Sequence, residues 1–432
     1  MKKSKIVALM MAGLLFMGPV SCKSPDTPAA AVPQDKQQEQ KVTLRFISSW
    51  GGVDSRAEAL KALLDQFMFV NKNIEVINES LFGEDFLPKI KTDFASGNDP
   101  DIFGLWPGSD IRALIRAGRV ADLSALMDQD PAWKALFKSS MLEYTTYEGK
   151  IYGLPVETIF EALFINVDLF DKHSVKVPEY YEELKDAIVA FRSAGIDPIA
   201  YNAFAEGTYL YQNMVALLAG KEIAENPEHP EFGKYYRQAL EYMLELYNLG
   251  AFPKDAFTMM NRERNALFQE KKAAMIVQGS WFIGYFDRYD ESVDIAYFPI
   301  FPDGNAPPKT MIYGLGNGCF HISSAAYNDP GKQKEAVKLL RFLTARETAA
   351  VFAQQTGMLS SVDIRESRID YNRLTRKGQL LINGARQFIG PPDSFVDRTT
   401  WEEVIANGMP YVLEGKWEID ELWDKAVRAG LN

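Results

Sequence analysis

Four tryptophan- and carboxylate-bearing loops carry the residues of this chain whose types and positions could do chemistry. Trp50 and Gly51 follow the apolar-alternating segment 42–47, Trp106 follows 101–105, and Trp281 follows 273–277 through Gly279. In open parallel sheets, ligands bind beyond the carboxyl ends of the strands, so these indoles are expected in a cleft. A core tryptophan would sit inside a strand or on a helix stripe. An indole face covers the C–H face of a polyhydroxylated ring and excludes water, while planar polar side chains pair with its hydroxyl rim. The chain is 12% aromatic, so most of its rings must be core and position decides which are not. Asp54 and Asp85 fall in the loops after the first and second strands, where a helix N-cap or a solvated loop charge competes with ligand contact. Glu157 lies where the chain is expected to cross between lobes, and it either faces a cleft or builds the hinge. Tyr209 opens a helix after Ala205-Glu206-Gly207-Thr208 and is a further lining candidate.

Catalysis finds less support. His173, His229 and His321 are far apart and in no metal-binding spacing, so no metal and no cofactor are expected. There is no nucleophile elbow and no Walker loop. Gly314-Leu315-Gly316-Asn317-Gly318 enters a strand rather than a helix, so it does not cradle phosphate. Close backbone approach to a ligand at Gly316, with Asn317 donating and accepting, fits it better. A glycosidase carboxylate pair has no motif to support it. A cationic solute would want several cleft carboxylates, and none gather near the strand ends. The formal charge of −11 disfavours nucleic acid and anionic lipid as partners.

The elements that must position these residues read as α/β. Strand 42–47, helix 55–69, strand 74–77, helix 86–95 and strand 101–105 alternate as in a parallel sheet with helices on its faces. The stretch 180–249 is mainly helical, with helices at 181–194, 209–219 and 233–249. Helix 262–268 and strands 273–277, 293–298 and 318–322 follow, then helices 331–343 and 346–355. The tail 371–431 is helical with breaks at Gly390-Pro391-Pro392 and Pro410. Trp133, Trp417 and Trp423 have amphipathic surroundings and read as structural.

The N-terminus indicates export. Lys2, Lys3 and Lys5, the apolar run Ile6–Met17 and then Gly18-Pro19-Val20-Ser21-Cys22 form the three parts of a secretory signal, too short to span a bilayer. A small residue before Cys22 resembles a lipobox, with Pro19 where an aliphatic residue is usual; ordinary cleavage leaving a free thiol is the alternative. Residues 23–41 are polar and Pro-rich and read as a flexible tether. With only Cys22 and Cys319 present, lipidation of Cys22 leaves no internal disulfide, and Cys319 reads as buried. About 390 residues from Val42 onward exceed one core, so two domains are expected.

Several segments, in order, resemble the extracellular solute-binding proteins of sugar ABC importers, the group that includes maltose-binding protein. They are Phe94-Ala95-Ser96-Gly97-Asn98-Asp99-Pro100-Asp101-Ile102, Tyr147–Pro155, Phe164-Ile165-Asn166-Val167-Asp168-Leu169-Phe170, and Phe268–Met275 with Gln278-Gly279-Ser280-Trp281. The last is Ala336–Thr344 with Gly357. The sequence departs from the family pattern at Ile165, Val167 and Glu270, and at Leu359 or Ser360, where Pro is usual. The resemblance implies a periplasmic-binding-protein type II fold: two α/β lobes joined by a multi-crossing hinge, with the ligand cleft between them. It implies a signal peptide at 1–21, a lipidated Cys22 and tether at 22–41, one lobe from 42–156 plus 312–344, and the other from 157–311 plus 345–432. Crossings are expected near 156–160, 309–313 and 343–347. It implies that Trp281 stacks on the sugar, that Trp401 is a late aromatic reaching the ligand with Arg398 nearby, and that Asp54 and Asp85 are hydroxyl acceptors. The expected role is a monomeric, lipid-anchored receptor on the extracytoplasmic side of a membrane. It would deliver a sugar or oligosaccharide to a permease by hinge closure. A non-sugar polar solute on the same fold, a lipoprotein glycosidase, and an adhesion or sensory lipoprotein are the alternatives.

Overall fold

The computed structural model describes residues 41–431. The signal peptide, Cys22 and all but the last residue of the tether lie outside the described residues. Among the described residues, no helix is long and apolar enough to cross a membrane.

The first lobe is built on β1 (Val42–Ile47), β2 (Ile74–Asn78) and β3 (Ile102–Gly104), with β1 central and parallel to both neighbours. Helix Ala57–Val70 connects β1 to β2 because Ala59, Leu60, Leu63, Leu64 and Phe67 recur at helical spacing and bury one stripe. Helix Phe86–Ser96 ends at Gly97, whose φ of 77° is the left-handed conformation of a helix C-terminus. A hairpin, β4 (Thr146–Tyr147) and β5 (Lys150–Ile151), precedes β6 (Leu154–Pro155).

The second lobe centres on β7 (Glu157–Asn166), all ten residues of which are buried. Around it lie β8 (Asp197–Ile199), β9 (Ala273–Gly279), β10 (Val293–Ala296) and β11 (Thr310–Leu315). β12 (Cys319–Ile322) returns to the first lobe, and β13 (Leu359–Ser360) and β14 (Gln387–Ile389) belong to the second. The strand orders are β2-β1-β3-β12-β6 and β14-β11-β7-β9-β8, with β10 and β13 also paired to β7.

Strand membership locates the crossings. The first is at Val156, between β6 and β7, inside the expected 156–160. The second falls at Gly316–Gly318 rather than 309–313, because β11 pairs antiparallel with β7 and only β12 joins the first sheet. The third is also later than 343–347. Helix Arg346–Thr356 buries Ala349, Phe352 and Ala353 in the first lobe's core, whereas helix Arg373–Gly384 packs in the second. The expected lobe assignments of 312–315 and of this helix are therefore corrected. The tail contains a strand, β14, parallel to β11, that helical periodicity alone does not reveal. Cys319 is a free, buried thiol.

Candidate functional site

A cavity of about 380 Å³ opens between the two sheets. Its walls come from the loops after β1 and β3 and from Phe82–Pro88 on one side. The other wall is made by β7, the Phe204–Tyr209 turn, the segment after β9 and residues 391–407. The crossing Leu315–Asn317 closes its base.

A buried ion cluster joins Asp54 and Arg56 of the first lobe to Glu157 of the second. Arg56 donates Nε and Nη2 to the two oxygens of Asp54, both at 2.7–2.8 Å, and Nη1 to Glu157 at 2.5 Å. Burial works to lower the Arg56 pKa, but Asp54 and Glu157 outweigh it and hold the guanidinium well above its ordinary value. Burial raises the Glu157 carboxyl despite Arg56, and the neighbouring Asp54 charge adds to the rise. Asp54 also accepts from the Arg56 backbone N–H at 2.8 Å, which fixes the loop that begins the first helix.

The second lobe supplies rings and carboxyls. Tyr209 meets Trp281 edge to face, with centroids 5.6 Å apart, and both line the cavity. Glu161, in the middle of β7, is 3% exposed and accepts from Asn213 Nδ2 at 2.7 Å. Burial, with the charge of Asp393 added, pushes its carboxyl well above the ordinary range. Glu206 accepts from Arg264 at 2.9 Å and from Gln278 at 3.0 Å. Across the mouth, Arg398 Nε donates to Asp110 of the first lobe at 3.0 Å and Nη1 to Asp393 at 3.1 Å. Its guanidinium lies 5.2 Å from the Trp106 ring centre, so Trp106 and Arg398 meet over the gap. Ser55 Oγ donates to the Trp281 carbonyl at 3.1 Å, a further link between the lobes.

Of the residues expected at the site, Asp54, Trp106, Glu157, Tyr209, Trp281, Gly316, Asn317 and Arg398 line this cavity. Four do not. Trp50 is 0% exposed and packs edge-on against Phe320 and Phe352, with ring centres 5.5 and 4.9 Å away. The chain turns inward after β1, so the indole forms the floor beneath Arg56 instead of a cleft wall. Gly51 is pressed on Ser80, where a Cβ would lie 2.1 Å from the carbonyl oxygen; its smallness serves loop packing. Trp401 is 0% exposed between Tyr211 and Tyr236, because its helical turn faces the core. Asp85 is exposed at the end of a 3-10 turn and is not among the lining residues, although Gly83 and Leu87 on either side of it are.

Two others are present for a different reason than expected. Asn317 accepts from Ser49 N at 3.1 Å and donates to the Gly104 carbonyl at 3.1 Å, so its amide ties β1 to β3. A Cβ on Gly316 would lie 2.5 Å from Glu157 Oε2, so this glycine admits the buried carboxyl. Sequence reading missed Arg56, Glu161, Glu206, Asn261, Asn265, Tyr285 and Asp393. Glu161 carries a legible signal, a single acid inside the apolar run Ile159–Ile165. Several carboxylates do line the cleft, Asp54 from the loop after β1 and the others from β7 and from turns, which corrects the expectation that none gather near the strand ends.

Two sheet-centred lobes with a polar, ring-lined cavity between them define a two-lobed binding protein. The chain belongs to the bacterial extracellular solute-binding protein family, whose model matches residues 53–350. Among relatives, the multiple sugar-binding protein of Streptococcus mutans is 23% identical over 78% of this chain and 79% of its own length. The melibiose/raffinose/stachyose-binding protein of Bacillus subtilis is 22% identical over 80% of each. A chain solved in work on xylan utilisation by Caldanaerobius polysaccharolyticus superposes with a TM-score of 0.80 at 23% identity, covering 90% of this chain and all of that one. The maltose/maltodextrin-binding domain from Bdellovibrio bacteriovorus, bound to maltotriose, gives 0.70 at 19% identity over 89% and 97%. The family and the fold are those of binding proteins, not of enzymes.

Proposed function

We propose that this protein is the exported receptor of an ABC importer, capturing a sugar or oligosaccharide between its lobes and presenting it to a membrane permease. The observation that carries this reading is the cavity itself, in which Trp281, Tyr209 and Trp106 stand beside carboxyls and amides from both lobes. Rings cover the C–H faces of a saccharide and the polar groups take its hydroxyls. The names of the relatives, several of them sugar-binding proteins, support the same ligand class.

The mechanism is hinge closure. The chain passes between the lobes at Val156, at Gly316–Gly318 and over 357–372, and the lobes rotate about these passages as rigid bodies. A solute touching Trp106 on one side and Trp281 on the other stabilises the closed form, and that differential affinity shifts the population. Anchoring by a lipidated Cys22 on the extracytoplasmic side, and a monomeric state, complete the proposal. The test is thermal denaturation of the mature protein against a mono- and oligosaccharide panel. A ligand at 100 times its Kd adds about 2.7 kcal/mol to stability and raises Tm. A folded protein whose Tm no saccharide moves would refute the reading.

A further inference from the structure

The cavity wall holds more carboxyl groups than its cations can pair. Arg56 is shared by Asp54 and Glu157. Arg398 is shared by Asp110, Asp393 and Glu402, and Asp110 also meets Lys91 at 3.5 Å. Glu206 is paired with Arg264. Glu161 and Glu403 also line the cavity, and neither has an ion pair among the described residues. Glu403 is exposed, and water screens it. Glu161 is not: it is nine-tenths buried and more, one oxygen accepts from Asn213, and no other hydrogen bond to its carboxyl is formed among the described residues.

A buried carboxyl without a cation is costly when ionised, and a neutral solute closing over it removes the remaining water. A solute carrying positive charge reverses that balance. The field of the surrounding carboxylates then favours binding, and the rings favour it too, since an ammonium is attracted to an aromatic face. A bare metal ion fits the wall poorly, because no group of three or more His, Cys, Asp or Glu side chains converges in metal-binding geometry among the described residues. The acids are spread around the cavity, as suits one charged group on a larger solute.

We propose that the solute is an amino sugar, a mono- or oligosaccharide carrying a free protonated amine, and that the amine binds at Glu161 with Asp393 nearby. This rests on the carbohydrate reading and narrows it. Burial and the Asp393 charge hold the empty Glu161 carboxyl towards its protonated form. An arriving ammonium stabilises the carboxylate instead, so capture releases a proton.

The experiment is titration calorimetry on the mature chain at about pH 6, where a sugar amine is protonated. Three probe sets of matched length and linkage are compared: glucosamine oligomers of two and three rings, their N-acetylated forms, and the corresponding glucose oligomers. The expected result is at least about ten-fold tighter binding of the amine-bearing set. Glu161→Gln should erase most of that preference while leaving the affinity for the neutral sets within a few-fold. Acetylation removes the charge on the ligand side, so the comparison stands even if a variant folds poorly, and Glu228→Gln, exposed and outside the cavity lining, provides a surface control that retains the preference. Equal or tighter binding of the neutral sets overturns this inference and leaves the carbohydrate reading intact. Binding of no saccharide by the folded protein overturns both.

Discussion

Glu161 and the tryptophans show how differently residues of one type are used. Trp281 lines the cavity, and Trp281→Ala should weaken saccharide binding by about 1 kcal/mol or more, the scale of a lost aromatic contact. Calorimetric Kd values for the two proteins check this, and unchanged affinity would remove Trp281 from the site. Trp50 and Trp401 are core rings, so Trp50→Ala and Trp401→Ala should instead cost about 3–5 kcal/mol in urea unfolding. Glu161 carries a pH signature. Its folded carboxyl is raised above the ordinary 4.5, so as pH rises the unfolded chain ionises first. Stability therefore falls above about pH 4.5, until the folded carboxyl itself ionises. Glu161→Gln, which keeps an acceptor for Asn213, should stabilise the unliganded protein at neutral pH and lose that gain below about pH 4.5. Denaturation midpoints at several pH values would show it, and a gain independent of pH would contradict it. The rings were legible in the sequence as candidates, but facing inward or outward was not, because that depends on one backbone turn after each strand.

At the scale of elements, β7 and the Gly316–Gly318 crossing organise the site. β7 places Glu157 and Glu161 in the cavity wall four residues apart, on the same face of an alternating strand, while all ten of its residues are buried. A strand covered on both faces has no polar alternation, which is why periodicity did not expose it. The helices were easier: the stripe Ala59, Leu60, Leu63, Leu64, Phe67 has only one apolar side, and its period is local. Gly316 is where β11 leaves β7, against the Glu157 carboxyl that Arg56 already holds. Gly316→Ala should therefore overpack a site that cannot give, costing about 1–3 kcal/mol in chemical denaturation. A substitution without effect would show that the hinge tolerates a side chain there.

For the whole molecule, the proposed closure is the property that matters, and Arg398 forms one of the links between the lobes. Its ion pair with Asp110 joins the lobes across the cavity mouth, while Asp393 and Glu402 hold it on its own side. Asp110→Asn removes the charge from the far partner and keeps Arg398 neutralised. The unliganded variant should then populate more open forms, with a larger radius of gyration in X-ray scattering and a weaker apparent affinity, because the competent state is less populated. An unchanged scattering profile would show that the pair does not bias the hinge. Salt should act in the same direction only weakly, since both side chains are largely shielded from solvent.

Local patterns alone determined the export signal and tether expectations, the alternation of the first lobe, most helices, and the family to which the segments around Pro100, Asn166 and Trp281 belong. These are properties of short stretches, in which the period of apolar residues and the identity of turn residues suffice. Tertiary structure decided the rest. It placed Glu161, Asp393 and Arg398 around one cavity from positions 161, 393 and 398 in the chain, and it buried Trp50 and Trp401 instead. Pairing between distant strands brings such residues together, and burial then sets their charge; neither is written in any window of neighbouring residues.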